Sequence, residues 1–554
     1  MRSLPLTEPD VLILGSGPGG AALAWRLASA GLAVRVLEAG PAFDPAADYA
    51  QDRADWETPF PERPDSRGAC ETGPLQELGP EIDDIRSWNA LTGPYVPGTR
   101  RADFGYHHVR GVGGSSLHFT GEAHRLHPRA FTMKSTFGVA ADWPVTYAEL
   151  EPYWLEAERQ SGVAGPAEDA QRPRSAAYPL PAHPFSHASD RLARAARSLG
   201  LSVQANALAV PSRPYDDRPD CNYCGGCLRG CQRGDKGSVD QTYLRKAVET
   251  GRCEVLPGIE AMRLETAGGR VSGVLCATSA GPRLFRAPVV ILACGAVQTP
   301  RLLLNSASEE SPDGLCNESG EVGHNFMETL IFTASALHSD PLGSHRGLPV
   351  DWICWDFNAP DAIPGVTGGC RFGCSMAESD LVGPVAYATR VVGGWGRAHK
   401  RALRASFGRA LSVTGIGECL PHPESRIRLS TRRDAHGMPI PRIESRLGPD
   451  AFARLRFMAR TCRAILAAAG CAAPFEEFSS ADAFSSTHVF GTCRMGHDPM
   501  RNVVDGWGRS HRWPNLFVAD ASLFPSSGGG ESPGLTIQAL ALRTADHLLS
   551  EARP

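Results

Sequence analysis

The chain opens on a short apolar run, Asp10 to Leu14, that predicts a strand. A glycine-rich turn follows, Gly15-Ser16-Gly17-Pro18-Gly19-Gly20. Ala21 to Ala30 are good helix formers stopped by Gly31, and Val34 to Leu37 form a second apolar strand closing on Glu38. From about Pro41 to Arg101 the chain is rich in Pro, Gly and Asp with weak periodicity, which predicts a loop-rich excursion over the surface or the substrate side. Asp142 to Glu158 reads as a turn entering a helix, and Arg191 to Gly200 as an amphipathic helix. Residues 253–295 alternate as strands do and end in the apolar run Val289-Val290-Ile291-Leu292-Ala293. Residues 331–480 mix strands with an amphipathic helix near Pro449 to Ala469, and no internal repeat or low-complexity tract is present.

Length changes the picture first. At 554 residues the chain exceeds a single compact core, so two to four domains or interleaved lobes are expected. Hydrophobic content of 42% and charged content of 21% are those of an ordinary globular protein. The net charge is -4, and no run of five basic residues occurs, which argues against a nucleic-acid partner. Met1 to Pro9 lacks the basic-then-apolar order of a secretory leader, and no apolar segment approaches the roughly 18–20 residues of a membrane span. The expectation is a cytoplasmic protein, with peripheral membrane attachment through a partner subunit left open.

The opening turn carries chemistry. Gly15-x-Gly17-x-x-Gly20 stands between a strand and a helix, the context a dinucleotide-binding turn requires. Gly15 permits the tight turn, Gly17 lets the backbone approach a pyrophosphate, and Gly20 lets helix pack on strand. The helix N-terminus offers free N–H groups to phosphates. Glu38, ending the second strand, is placed to accept hydrogen bonds from a ribose diol and argues against a 2′-phosphate, hence against NADP. The motif alone does not separate FAD from NAD.

Several further segments do. Gly111-Val112-Gly113-Gly114-Ser115-Ser116 is a second glycine-rich loop. Asp142-Trp143-Pro144-Val145-Thr146-Tyr147 precedes Leu150-Glu151-Pro152-Tyr153, and Ala293-Cys294-Gly295-Ala296-Val297-Gln298-Thr299-Pro300-Arg301 is followed by Ser319-Gly320-Glu321-Val322-Gly323-His324-Asn325. Near the end come His488-Val489-Phe490-Gly491-Thr492-Cys493-Arg494-Met495-Gly496, then Asp520 and Pro533-Gly534-Leu535-Thr536. In this order, over essentially the whole chain, they resemble the glucose–methanol–choline (GMC) oxidoreductase family, the stretch from about 331 to 415 carrying least of the likeness.

The resemblance implies an α/β fold: a Rossmann-like FAD-binding domain built from discontinuous segments, plus a substrate domain with a mainly antiparallel sheet and helices. The expected division gives residues 1–45, 100–130, 190–330 and 485–554 to the FAD domain. Residues 131–189 and 331–484 go to the substrate domain, and 46–99 form the excursion. It implies FAD, with Gly15, Gly17, Gly20 and Glu38 on the ADP half, and Gly113, Gly114, Ser115, Asp520 and Thr536 along the pyrophosphate and isoalloxazine. It also implies oxidation of a primary or secondary alcohol, such as a sugar, sterol or long-chain alcohol. The flavin takes a hydride, and His488, which matches the family's catalytic histidine, takes the hydroxyl proton.

The family carries Asn or His just before the proline of its last motif, where this chain has Ser532; a serine orients by hydrogen bonding but is no comparable base. Glu531 is the adjacent alternative. His118 resembles the histidine that some members bond to the flavin 8α-methyl group, the other reading being a histidine packed beside the ring. Two other readings use the same fold: a non-redox lyase, and a flavin electron-transfer subunit without an alcohol site.

Of the 16 cysteines most are scattered singly and read as small buried hydrophobes. Cys221-x-x-Cys224-x-x-Cys227-x-x-x-Cys231 is different: its tight spacing is that of bacterial ferredoxins, though Gln232 replaces their proline. Some sugar dehydrogenase subunits of the family carry an iron–sulfur cluster in a similar segment, while Lys236-Gly237-Ser238 also resembles cholesterol oxidase-like and long-chain alcohol oxidase-like members. Iron–sulfur, zinc and free thiols stay open, as do quinone, cytochrome and oxygen as electron acceptors.

Overall fold

The computed structural model describes residues 8–49, 68–376, 379 and 381–551. Residues 1–7 of the proposed leaderless start and 50–67 of the excursion therefore lie outside the described residues.

Two sheets organise the chain. The first is parallel, five-stranded, and ordered Cys253–Pro257, Val34–Glu38, Val11–Leu14, Val289–Leu292, Leu516–Val518. Val11–Leu14 and Leu516–Val518 are buried throughout, as a parallel sheet covered on both faces demands. The first helix, Pro18–Ser29, begins three residues before the run of helix formers at Ala21. Pro18 sits at its first turn, where a missing N–H costs nothing, and Gly20 has no Cβ to strike Gly15 O, which would lie 2.0 Å away. The long C-terminal helix, Gly534–Glu551, packs against this helix and against Tyr147–Ser161.

The second sheet is antiparallel and eight-stranded: Gly93–Pro94, Trp88–Asn89, Glu476–Ser479, Leu330–Leu337, Ala410–Gly417, Cys370–Cys374, Trp352–Cys354, Gln204–Ala205. Along Leu330–Leu337, Leu330, Phe332, Ala334 and Ala336 are buried in the main core with Leu455, Met458 and Cys462 of helix Pro449–Ala468. Ile331 and Thr333, on the opposite face, border a large cavity. The period of two thus assigns one face to the core and the other to the site. Two strands of this sheet, Trp88–Asn89 and Gly93–Pro94, come from the stretch expected as loop. They are two residues each and carry no alternation; Trp88–Asn89 becomes a strand by pairing with Glu476–Ser479, and Gly93–Pro94 by pairing with Trp88–Asn89.

A buried ion pair joins the segment before Ala102–Tyr106 to the strand Met327–Glu328. Arg101 Nη1 and Nη2 donate to Glu328 Oε1 and Oε2 at 2.7 and 2.8 Å, and both side chains are fully enclosed. Removing one partner strands the other charge in the interior. Glu328→Ala is therefore expected to lower the unfolding free energy by about 3–5 kcal/mol, measured by chemical denaturation; a change inside error would show the pair to be dispensable.

Candidate active site

A cavity of about 1430 Å³ lies at the carboxyl ends of the parallel strands, where open α/β sheets bind ligands. Gly15, Glu38, Ala293 and Asp520, each ending or following a strand, border it. It continues past Gly114, Ser115 and His118 to His488 and Ser532, and on to the face of the antiparallel sheet at Ile331, Thr333 and Phe478.

At the dinucleotide end, Gly15 adopts φ +95°, and a Cβ there would lie 2.4 Å from Ala293 O. Gly17 is the N-cap of Pro18–Ser29 and no side chain caps that helix, so its first N–H groups are left for an anion. The second glycine loop closes against the first: a Cβ on Gly114, at φ +55°, would lie 2.9 Å from Gly17 Cα. Gly113 starts the turn in the left-handed region, at φ 109°. Glu38 is buried; its carboxylate accepts from Ser16 N at 3.0 Å, Ser16 Oγ at 2.6 Å and Gly40 N at 2.9 Å. Burial pushes its pKa up while those bonds oppose the shift. Asp520 accepts from Gly295 N at 2.9 Å and Thr299 Oγ1 at 2.6 Å, joining the last strand to the helix after Val289–Leu292. An uncapped helix start, a backbone cradle that only glycine fits, and one continuous cavity are what a dinucleotide with a bulky second half needs. The residues present fit FAD.

His488 sits at the junction of the sheets. Its carbonyl accepts from Thr329 N at 3.1 Å and Ser486 Oγ at 2.7 Å, and the next residues, Val489–Phe490, pair antiparallel with Met327–Glu328. Thr492 Oγ1 donates to Ala296 O at 2.7 Å, and Thr492 O accepts from Gly323 N at 2.7 Å. Three motifs far apart in sequence are thereby stitched together around the imidazole. Burial lowers the His488 pKa to about 4, with Glu122 opposing and Arg371 adding to the shift.

Ser532 borders the same cavity, and its hydroxyl donates to Glu122 Oε2 at 3.0 Å. Glu531 points elsewhere: it is buried, is not among the cavity-lining residues, and accepts from His127 N at 2.9 Å and Arg172 Nη2 at 3.2 Å. Thr536 is likewise turned from the cavity, accepting from Trp154 Nε1 at 3.2 Å. His118 is buried on the cavity wall, its pKa pushed well down by burial and by Lys236.

The four clustered cysteines are placed differently from a ligand set. Cys221 and Cys227 are buried and Cys224 is exposed. Cys221 accepts from Tyr223 N at 3.3 Å, and the Cys231 thiol donates to Asp235 Oδ1 at 2.8 Å. Burial pushes the Cys221 thiol up to about 12. Among the described residues no group of three or more His, Cys, Asp or Glu side chains is arranged to hold a metal ion. Lys236 fastens the segment to the cavity wall instead, donating to Cys227 O at 2.7 Å, Leu117 O at 2.8 Å and Phe119 O at 3.1 Å. As they stand the residues do not fit an iron–sulfur cluster.

Family models described as GMC oxidoreductase match residues 144–331 and 421–541. Over 98% of this chain and 92% of its own length, 6'''-hydroxyparomomycin C oxidase of Streptomyces lividus is 30% identical. The chain belongs to the GMC oxidoreductase family. A second GMC-type relative, the fructose dehydrogenase large subunit of Gluconobacter japonicus, is 28% identical over 98% of both chains. The fold matches that of a formate oxidase from Aspergillus oryzae RIB40 whose FAD modification was under study, at a TM-score of 0.66 with 15% identity over 100% of both chains. The protein is an FAD-dependent oxidoreductase acting on CH–OH groups. No helix among the described residues is long and apolar enough to cross a membrane.

Sequence reasoning did not find Glu122, His124, Asn206 and Arg371, which surround Ser532. Glu122 and His124 lie six and eight residues beyond the second glycine loop, but nothing in their local pattern separates them from surface polar residues. Only their shared burial does.

Proposed function

We propose that this GMC oxidoreductase oxidises a primary or secondary alcohol group of a polyhydroxylated small molecule to a carbonyl, with His488 as the base. The observation that carries the reading is that one cavity joins the dinucleotide cradle to a desolvated histidine and a sheet face bearing hydroxyl groups. When bound, FAD supplies the hydride acceptor. Gly17, Gly114 and the start of Pro18–Ser29 would hold its pyrophosphate, and Glu38 its ribose. The chain's own part is to hold the reacting hydroxyl against His488, accept its proton there, and exclude water. Thr329 and Thr333 on the cavity wall give a polyol hydrogen-bonding partners, while Ile331 and Phe478 supply apolar contact. Two relatives are named for fructose and for 6'''-hydroxyparomomycin C, both polyhydroxylated, which supports that class.

An anaerobic screen of sugars, polyols and simple alcohols tests this: a good substrate bleaches the flavin absorbance, and failure of every alcohol would leave the lyase or electron-transfer readings. Running dye reduction beside oxygen uptake identifies the acceptor, and iron analysis with an electron paramagnetic resonance spectrum tests the thiol assignment. His118 is the proposed point of covalent attachment; an acid-precipitated pellet without yellow colour would rule that out.

The pH dependence has a definite sign. A histidine whose pKa is lowered to about 4 is neutral, and so able to act as base, at all pH values above that. The pH profile of kcat/KM is expected to be flat from pH 6 to 8 and to fall only as pH drops through about 4. A limb near 6.5 would show His488 to be solvated.

A further inference from the structure

Ser532 occupies the place where the family carries Asn or His, and its surroundings decide what it can do there. Glu122 is buried on the cavity wall. Its Oε2 accepts from Arg371 Nη2 at 2.6 Å and from Ser532 Oγ at 3.0 Å, and its Oε1 accepts from Asn206 Nδ2 at 2.9 Å. The network has one consistent proton assignment. His124 Nδ1 accepts from Ser532 N at 3.1 Å, so His124 carries its proton on Nε2 and donates it to Asn206 Oδ1 at 2.8 Å. The Asn206 amide is then free to donate to Glu122 and, at 2.9 Å, to Val350 O. Arg371, Asn206 and Ser532 therefore all donate to Glu122. Burial would raise the Glu122 pKa, but the Arg371 guanidinium and the bonds from Asn206 and Ser532 outweigh it and hold the group well below the usual carboxylate range. The carboxylate is ionised and can only accept.

A serine hydroxyl has one proton, and here Glu122 takes it. What Ser532 presents to the cavity is a pair of acceptor lone pairs. Neutral His488, on the same cavity, is also an acceptor toward the reacting hydroxyl, and an alcohol has a single proton to give. We propose that Glu122 makes Ser532 an acceptor toward the substrate, so that the site selects alcohols bearing a second hydrogen-bond donor, a hydroxyl or ammonium group, on the carbon next to the reacting one. Glu122 is thus a positioning and specificity residue, while Ser532 makes the contact. This rests on the alcohol-oxidising function above, and it explains how a site without the family's Asn or His discriminates.

The test compares propane-1,2-diol with 2-methoxypropan-1-ol, which keeps the primary hydroxyl but caps its neighbour. Anaerobic titration of the FAD-loaded enzyme gives Kd from the perturbation of the flavin spectrum, and the rate of bleaching gives the oxidation. The native enzyme is expected to favour the diol by about 10- to 100-fold, the range for one buried hydrogen bond left unmade. Ser532→Ala, which leaves the Glu122–Arg371 pair in place, is expected to bring the ratio near one; because methyl bulk is unchanged, the difference isolates the hydrogen bond. Ser532→Asn, able to donate as well as accept, is expected to lower the ratio too. In Glu122→Gln the amide can donate to Ser532 Oγ and release the serine proton toward the cavity, so the ether gains on the diol. Should Glu122→Gln fail to fold, the two Ser532 variants still decide.

A native ratio near one, or one that survives Ser532→Ala, overturns the inference. A full ratio retained in folded Glu122→Gln removes Glu122 from it. If the Kd ratios follow the expected pattern while neither alcohol bleaches the flavin, the oxidation reading falls and the recognition stands.

Discussion

His488→Ala is expected to lower kcat by about 10²- to 10⁴-fold, the usual contribution of a positioned general base, with flavin content unchanged. The imidazole borders the cavity from a backbone clamped by Thr329 and Ser486, so its loss removes a proton acceptor without loosening the strand behind it. Burial keeps the imidazole neutral, and the Glu122 carboxylate, whose charge raises its pKa, favours the imidazolium that proton transfer creates. Stopped-flow reduction of the flavin under anaerobic conditions separates this step from reoxidation. A variant that reduces its flavin at the native rate would assign the base elsewhere, with His118 on the same cavity wall the first candidate, since Glu122 is committed to Arg371.

The second large effect concerns the cofactor cradle. Gly114→Ala places a Cβ 2.9 Å from Gly17 Cα at φ +55°, so backbone must move against backbone in a conformation that L side chains rarely adopt. Strain of that kind amounts to about 1–3 kcal/mol, which corresponds to a loss of about 5- to 150-fold in FAD affinity. The purified variant is expected to lose most of its yellow colour and to regain it only at high added FAD. The parallel sheet lies outside the contact, so far-UV circular dichroism should be unchanged. Full flavin occupancy after extensive dialysis would show that the two loops need not touch. Together the two substitutions separate binding from chemistry: one empties the cradle, the other stops proton transfer in a loaded enzyme.

The elements legible before folding were those whose physics is local. Val11–Leu14 and Val289–Leu292 are unbroken apolar runs, Pro449–Ala468 has a helical period, and the glycine turn lies between a strand and a helix. Helix His187–Ser198 starts earlier than its apolar pattern, because Ser186 caps it by accepting from Ser189 N at 3.2 Å, a contact that periodicity does not report. The cysteine segment shows the opposite limit. Spacing alone describes a ferredoxin-like ligand set, yet among the described residues no three of these side chains are arranged to hold a metal ion, and the Cys231 thiol is bonded to Asp235 instead.

Sequence by itself determined the dinucleotide turn, its acidic partner Glu38 and the histidine-bearing terminal motif, because each depends on neighbours within a few residues. Only the tertiary structure decided what Ser532 does. Its partners Glu122 and His124, and the Asn206 and Arg371 side chains that bond Glu122, come from three chain segments at least 80 residues apart, and each is an ordinary polar residue until burial removes water as the alternative partner. Once water is gone, each donor must find an acceptor, and that constraint sets the direction of the serine proton.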